Sequence, residues 1–90
     1  MSEDKLRKDI VRGNEADGLL KSEVFNHGIS QIREGLINKW MLTTDAMERD
    51  RIWMSVNLLE KITAALVVCV GDGRIAQAEI DAIVAVPKAA

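Results

Sequence analysis

The sequence predicts an all-α protein, a small helical bundle built on a long helical hairpin with a short C-terminal helix. Two observations favour this class. Apolar residues recur every three or four positions along most of the 90-residue chain, which is the spacing of one helix face. The single proline, Pro87, lies near the C-terminus, so nothing before it forbids long helices. A chain of this length predicts one domain over residues 1–90.

The first helix is expected to begin at Ser2, because a serine hydroxyl can accept a hydrogen bond from a free amide of the first turn. Gly13 and Gly18 weaken the interior of this helix, since each glycine costs about 1 kcal/mol relative to alanine. A break near Asn14 would leave residues 1–12 as a flexible basic arm.

The second helix is expected to begin at Ser22 and to run to about Leu42. Its apolar stripe has helical spacing and consists of Phe25, Ile29, Ile32, Leu36 and Trp40. Gly28 and Gly35 are one heptad apart and share a face. These glycines either let another helix approach closely or only weaken the helix without a packing role.

The third helix should follow the polar Thr43-Thr44-Asp45 turn and cover residues 46–70. Two adjacent apolar stripes run along it, so it can pack on two neighbours at once. The first consists of Ile52, Val56, Leu59, Thr63, Leu66 and Val70, and the second of Met54, Leu58, Ile62, Ala65 and Cys69. Residues 64–70 carry no charge, and one small fold cannot cover them on all sides. The predicted partner interface is therefore Leu66, Val67, Val68 and Val70, with Gly28 and Gly35 of the second helix.

Gly71 and Gly73 are expected to end the third helix, because glycine accepts the left-handed conformation common at helix ends. A short fourth helix would follow, and residues 87–90 would form a frayed tail. Asp72-Gly73 followed by Glu79 resembles part of a calcium loop. The same register places valines at two ligand positions, so a calcium site is not predicted.

Composition excludes several functional classes. Twelve basic and 14 acidic residues give a net charge of −2, which argues against a protein that mainly coats nucleic acid. One cysteine excludes an internal disulfide, and the chain has one histidine and no tyrosine. No glycine-rich phosphate loop is present. We therefore expect no enzyme activity, no catalytic or metal-binding residue and no cofactor, with His27 on a helix surface and Cys69 as a small hydrophobe.

The remaining partner classes follow from charge and hydropathy. No apolar run approaches the roughly 20 residues of a membrane span, and the charged N-terminus does not resemble a signal peptide. A cytoplasmic protein without a membrane partner is therefore expected. The first dozen residues are locally basic through Lys5, Arg7, Lys8 and Arg12. Nucleic-acid contact by these residues is possible but not favoured, because interspersed acidic residues are typical of a solvated helix face.

Several short features together resemble a group of small helical proteins encoded by tailed bacteriophages. They lie between residues 12 and 80 and are Arg12-Gly13, Leu19-Leu20, Trp40 before Thr43-Thr44, Arg51-Ile52-Trp53 and Asp72-Gly73. Members of that group are often encoded near head and packaging genes, and most have no assigned activity. The resemblance implies a phage assembly or accessory protein and transfers no catalytic residue.

Three hypotheses for function remain open. The first is a non-enzymatic helical protein that self-associates, with a homo-oligomer or another phage or host protein as its partner. The second is a DNA-binding oligomer of the small-terminase or regulatory kind. The third is a small phage inhibitor of a host protein.

Overall fold

A computed structural model describes residues 2–85, which form three helices and contain no strand. Helix α1 covers Glu3–Lys21, α2 covers Glu23–Leu42 and α3 covers Ala46–Ala85. The predicted all-α class is confirmed.

Each helix begins where the sequence places a capping residue. The side chains of Ser2, Ser22 and Asp45 each accept a hydrogen bond from the amide three residues later, at 3.3, 3.2 and 3.0 Å. These bonds satisfy amides that have no partner within the helix. The predicted starts of the helices are confirmed, and so is the end of α2 at Leu42.

The break near Asn14 that the sequence left open does not occur, because α1 is continuous from Glu3 to Lys21. Leu6 is only 3% exposed and packs with Ala76 and Ile80 of α3. Residues 3–12 are therefore the start of a packed helix and not a flexible arm. Contact with α3 outweighs the low helix propensity of the glycines in α1.

The expected end of the third helix at Gly71–Gly73 is also wrong. Helix α3 runs without interruption for 40 residues, and neither glycine has a positive φ. The predicted short fourth helix is thus the C-terminal part of α3. Gly73 is buried within the helix, where it contacts the backbone of α1 at Gly13. The predicted tail at 87–90 lies outside the described residues.

Helices α1 and α2 follow one another along α3, antiparallel to it. They are separated by Ser22, whose backbone is extended. Helix α1 packs on the C-terminal half of α3, and α2 packs on the N-terminal half. The molecule measures 74 × 26 × 15 Å between Cα extremes. Its radius of gyration is 19.7 Å, whereas a compact domain of this length would have about 12 Å. The predicted bundle arrangement is not confirmed.

The buried side chains lie in two groups along α3. One group is centred on Leu6, Ala76 and Ile80, where α1 meets α3. The other consists of Ile52, Val56 and Leu59 on the half of α3 that faces α2. Helix α2 itself has no buried residue. The chain therefore has a narrow seam of buried side chains in place of a thick core.

Candidate interaction surface

The position of α1 on α3 is set by two glycines whose backbones touch. A Cβ atom added at Gly13 would lie 2.9 Å from the carbonyl oxygen of Cys69 and 3.0 Å from the Cα of Gly73. A Cβ added at Gly73 would lie 3.0 Å from the carbonyl oxygen of Asp9. Because a larger residue at either position would press against the backbone of the neighbouring helix, this glycine crossing fixes how closely α1 and α3 approach.

Helix α2 is held near its C-terminus by aromatic and charged side chains. The rings of Trp40 and Trp53 have centroids 6.0 Å apart and are tilted by 44°. The guanidinium of Arg49 lies 3.8 Å from the Trp40 ring centroid. It also donates hydrogen bonds to the carbonyl oxygens of Trp40 and Thr43, at 2.7 and 2.9 Å. The tryptophans therefore pack against each other across the turn between α2 and α3.

A continuous strip of exposed residues runs along α3. Its members alternate in steps of four and three and are Met47, Arg51, Met54, Leu58, Lys61, Ala65, Val68, Asp72 and Ile75. We call this set the α3 strip. Its five large apolar side chains are between 60% and 68% exposed. It spans 28 residue steps, or about 42 Å at 1.5 Å per residue. This 4-3 alternation is the spacing of a coiled-coil seam.

The predicted interface residues of α3 do not lie on one surface. Val68 is in the α3 strip, and Val67 is also exposed, at 56%, but points about 100° away around the helix. Leu66 and Val70 are half-buried. Two of these four residues therefore face solvent, and the other two pack partly against the rest of the chain.

Gly28 and Gly35 do not support close packing within the chain. A Cβ added at either position would meet no atom within 4 Å. Gly28 is half-buried and Gly35 is exposed on α2. The close approach expected at these glycines occurs instead at Gly13 and Gly73.

Sequence reasoning missed both ends of the α3 strip. Met47, Arg51 and Ile75 were not in the predicted interface, although Met54 and Leu58 were in the predicted second stripe. That stripe was expected to pack on a neighbouring helix, yet both residues are exposed. The 4-3 alternation continues through Asp72, and this signal could have extended the strip if α3 had been recognised as one helix.

Most basic residues proposed for nucleic-acid contact are paired with carboxylates on the same helix. Lys5 and Arg12 both lie near Asp9, with N–O distances of 3.1 and 3.7 Å. Arg7 pairs with a glutamate one turn earlier at 2.6 Å. Lys8 is exposed. These contacts match a solvated helix face with internal ion pairs.

The histidine and the cysteine lie on different helices in the described part of the chain, His27 on α2 and Cys69 on α3. Within residues 2–85, no group of three or more His, Cys, Asp or Glu side chains could hold a metal ion. His27 is exposed on α2, and Cys69 is half-buried beside the glycine crossing. A small groove of about 170 Å³ lies at the crossing between Ile10 and Arg74.

Helix α3 is also long and apolar enough, by length and composition alone, to cross a membrane. Only 11% of the relevant stretch is buried. One helix of this length and composition is by itself weak evidence for a membrane span. The longest uncharged run in α3, residues 62–71, has ten residues, half of what a hydrocarbon core of about 30 Å needs.

Comparison with protein-family models, curated proteins and solved structures finds no significant match to this chain. The case for a function therefore depends on the α3 strip and the shape of the molecule.

Proposed function

We propose that this chain is a non-enzymatic interaction protein that self-associates through the α3 strip. In this proposal the helical bundle expected from the sequence is completed by a second copy. The observation that carries the proposal is the row of exposed apolar side chains that extends along most of α3. Apolar surface of this extent commonly marks a protein interface.

The accessible surface of the chain supports the proposal. It amounts to 6965 Å², whereas a compact monomer of this mass exposes about 5,200 Å². The difference is roughly 1,800 Å² per chain. A standard protein interface covers about 800 Å² on each partner. Association through one face of α3 is therefore compatible with the excess and would still leave the charged faces in water.

The thinness of the molecule supports it as well. Helices α1 and α2 cover only part of α3, and the smallest extent of the molecule between Cα atoms is 15 Å. An apolar helix face is stable in a folded domain when another element covers it. In a four-helix bundle the facing stripes meet in a common core. Two copies joined along α3 would cover the apolar side chains of the α3 strip that α1 and α2 leave exposed.

The biological role that we propose is a phage assembly or accessory factor acting in the host cytoplasm. The resemblance to small phage-encoded helical proteins supports this role, and a self-associating surface suits an assembly factor. The DNA-binding alternative has less support, because most of its proposed basic residues are already paired on α1. If the chain instead inhibits a host protein, that protein would bind the α3 strip in place of a second copy.

Sedimentation equilibrium at micromolar concentration tests the proposal. We expect a mass of at least twice 9.9 kDa for the unmodified chain, and we expect Leu58→Lys to reduce it to that of a monomer. Val24→Lys is the matched control, because Val24 is 82% exposed on α2 and lies outside the strip. Circular dichroism should show that both variants stay helical, since neither residue is buried. A monomeric unmodified chain, or equal masses for the two variants, would contradict the proposal.

A further inference from the structure

We infer that the second copy binds the α3 strip antiparallel to the first, with a two-fold axis near Lys61. This inference rests on the proposed function and adds the orientation of the partner to it. When the strip is reversed about its centre, Arg51 meets Asp72, apolar residues meet apolar residues, and the two Lys61 side chains meet at the axis. A two-fold interface requires such self-complementarity, because the same surface supplies both sides.

Charge is the first part of the argument. Arg51 lies ten residues before Lys61, and Asp72 lies eleven residues after it. In an antiparallel pair, Arg51 of each copy therefore comes beside Asp72 of the other, at both ends of the interface. A parallel pair would place arginine against arginine and aspartate against aspartate. Opposite charges at the flanks favour one orientation, and like charges disfavour the other.

Both flanking charges remain available to a partner. Arg51 has an acidic neighbour in its own chain, Glu48, but the separation of 4.0 Å is long for an ion pair. Asp72 borders a groove with Lys5 and Arg12. Those two basic residues already lie near Asp9, at 3.1 and 3.7 Å.

Side-chain size is the second part of the argument. Met54 and Val68 are each seven residues from Lys61, and Met47 and Ile75 are each fourteen residues from it. Reversal about Lys61 therefore places apolar residues opposite apolar residues.

The centre of the strip fits the same reversal. Leu58 precedes Lys61 by three residues, and Ala65 follows it by four, so a large side chain meets a small one on each side of the axis. Alternation of large and small residues lets two helices interlock. The two Lys61 side chains lie near the axis, where a polar residue fixes the register of the two helices at a cost in stability.

Cross-linking between single-cysteine chains tests the orientation. Cys69→Ala removes the native thiol, and Met54→Cys or Val68→Cys is then introduced alone. Residues 54 and 68 are about 21 Å apart along α3. In the antiparallel pair, position 54 of one copy lies near position 68 of the other, while identical positions are about 21 Å apart. We expect a short bis-maleimide to join the two chains only when both variants are mixed.

The opposite cross-linking result would overturn the inference. A parallel pair would cross-link each variant with itself, and the mixture would give no additional product. Sedimentation of the same proteins separates the two claims. A monomer would contradict the proposed function, whereas an oligomer with self-linked variants would contradict only the antiparallel orientation.

Charge reversal provides an independent readout. Arg51→Asp places two aspartates together at both ends of the antiparallel interface, so we expect the dimer dissociation constant to rise about tenfold. Adding Asp72→Arg should restore the original value. Arg74→Asp, an exposed charge reversal outside the strip, should leave association nearly unchanged. Failure of the double variant to recover would contradict the orientation, because a parallel pair has like charges in every combination.

Discussion

Helices α1 and α2 pack on the two halves of α3 in different ways. In the C-terminal half, α1 approaches so closely that the backbones touch at Gly13 and Gly73. In the N-terminal half, no residue of α2 is buried, and α2 is held by Trp40 against Trp53, by Arg49 over the Trp40 ring and by the ion pair of Arg33. One half is held by backbone proximity and the other by a few long side chains.

This difference shows that one helix can be packed tightly by its own chain in one half and leave apolar side chains exposed for a partner in the other. Close backbone packing brings many atoms into contact and needs no large side chain. The looser half has fewer buried groups, and Met47, Met54 and Leu58 of the α3 strip are exposed there. We therefore expect the half that contains α2 to depend more on association than the half that contains α1.

The largest expected effect disrupts the packing of α1 on the C-terminal half of α3. Gly73→Ala would place a methyl group 3.0 Å from backbone atoms of α1, which cannot move as a flexible side chain can. We expect the free energy of unfolding to fall by about 2 kcal/mol, measured by urea denaturation.

Gly71→Ala is the control for this experiment. Gly71 has no atom within 4 Å of an added Cβ and lies in the same helix. Alanine there should raise the free energy of unfolding by about 0.5–1 kcal/mol, because it has the better helix propensity. Destabilisation of similar size at both positions would contradict the glycine crossing.

A smaller loss of stability is expected where α2 packs on the N-terminal half of α3. Arg49→Ala removes a cation–π contact and two hydrogen bonds to the end of α2. We expect a loss of about 1–1.5 kcal/mol. Hydrogen exchange should accelerate in the C-terminal part of α2 and remain unchanged in α1. Faster exchange throughout the chain would show that the two halves are not separable.

The smallest effect concerns the ion pair between Arg33 of α2 and Glu60 of α3. Its N–O distance is 2.6 Å, and both side chains are partly exposed to water. Arg33→Gln should lower the free energy of unfolding by about 0.5 kcal/mol at low salt and by less at high salt. Lys39→Gln is the control, for which thermal denaturation should give no salt-dependent difference from the unmodified chain.

Local signals in the sequence were sufficient to predict the helix starts. Ser2, Ser22 and Asp45 cap helices in the structure because their side chains reach amides three residues away, an interaction that depends on local chain geometry. The packing of Trp40 on Trp53 also follows from their places on either side of a short turn.

The course of α3 could not be predicted from the same local signals. A glycine that ends a helix and a glycine that allows a second helix to approach are the same residue, and only the partner distinguishes them. Gly73 belongs to the second kind because Gly13, sixty residues earlier, lies against it. The predicted fourth helix and the omission of Asp72 and Ile75 from the interface both followed from reading Gly71–Gly73 as a stop.

Small-angle X-ray scattering of the unmodified chain tests self-association most directly, because it measures mass and dimensions in one experiment. We predict a forward-scattering mass of at least two chains at micromolar concentration, falling on dilution, with Leu58→Lys giving one chain. A mass of 9.9 kDa at high concentration, with a radius of gyration near 19.7 Å, would show that the extended monomer is stable alone. That result would contradict the central claim that α3 packs against a second copy.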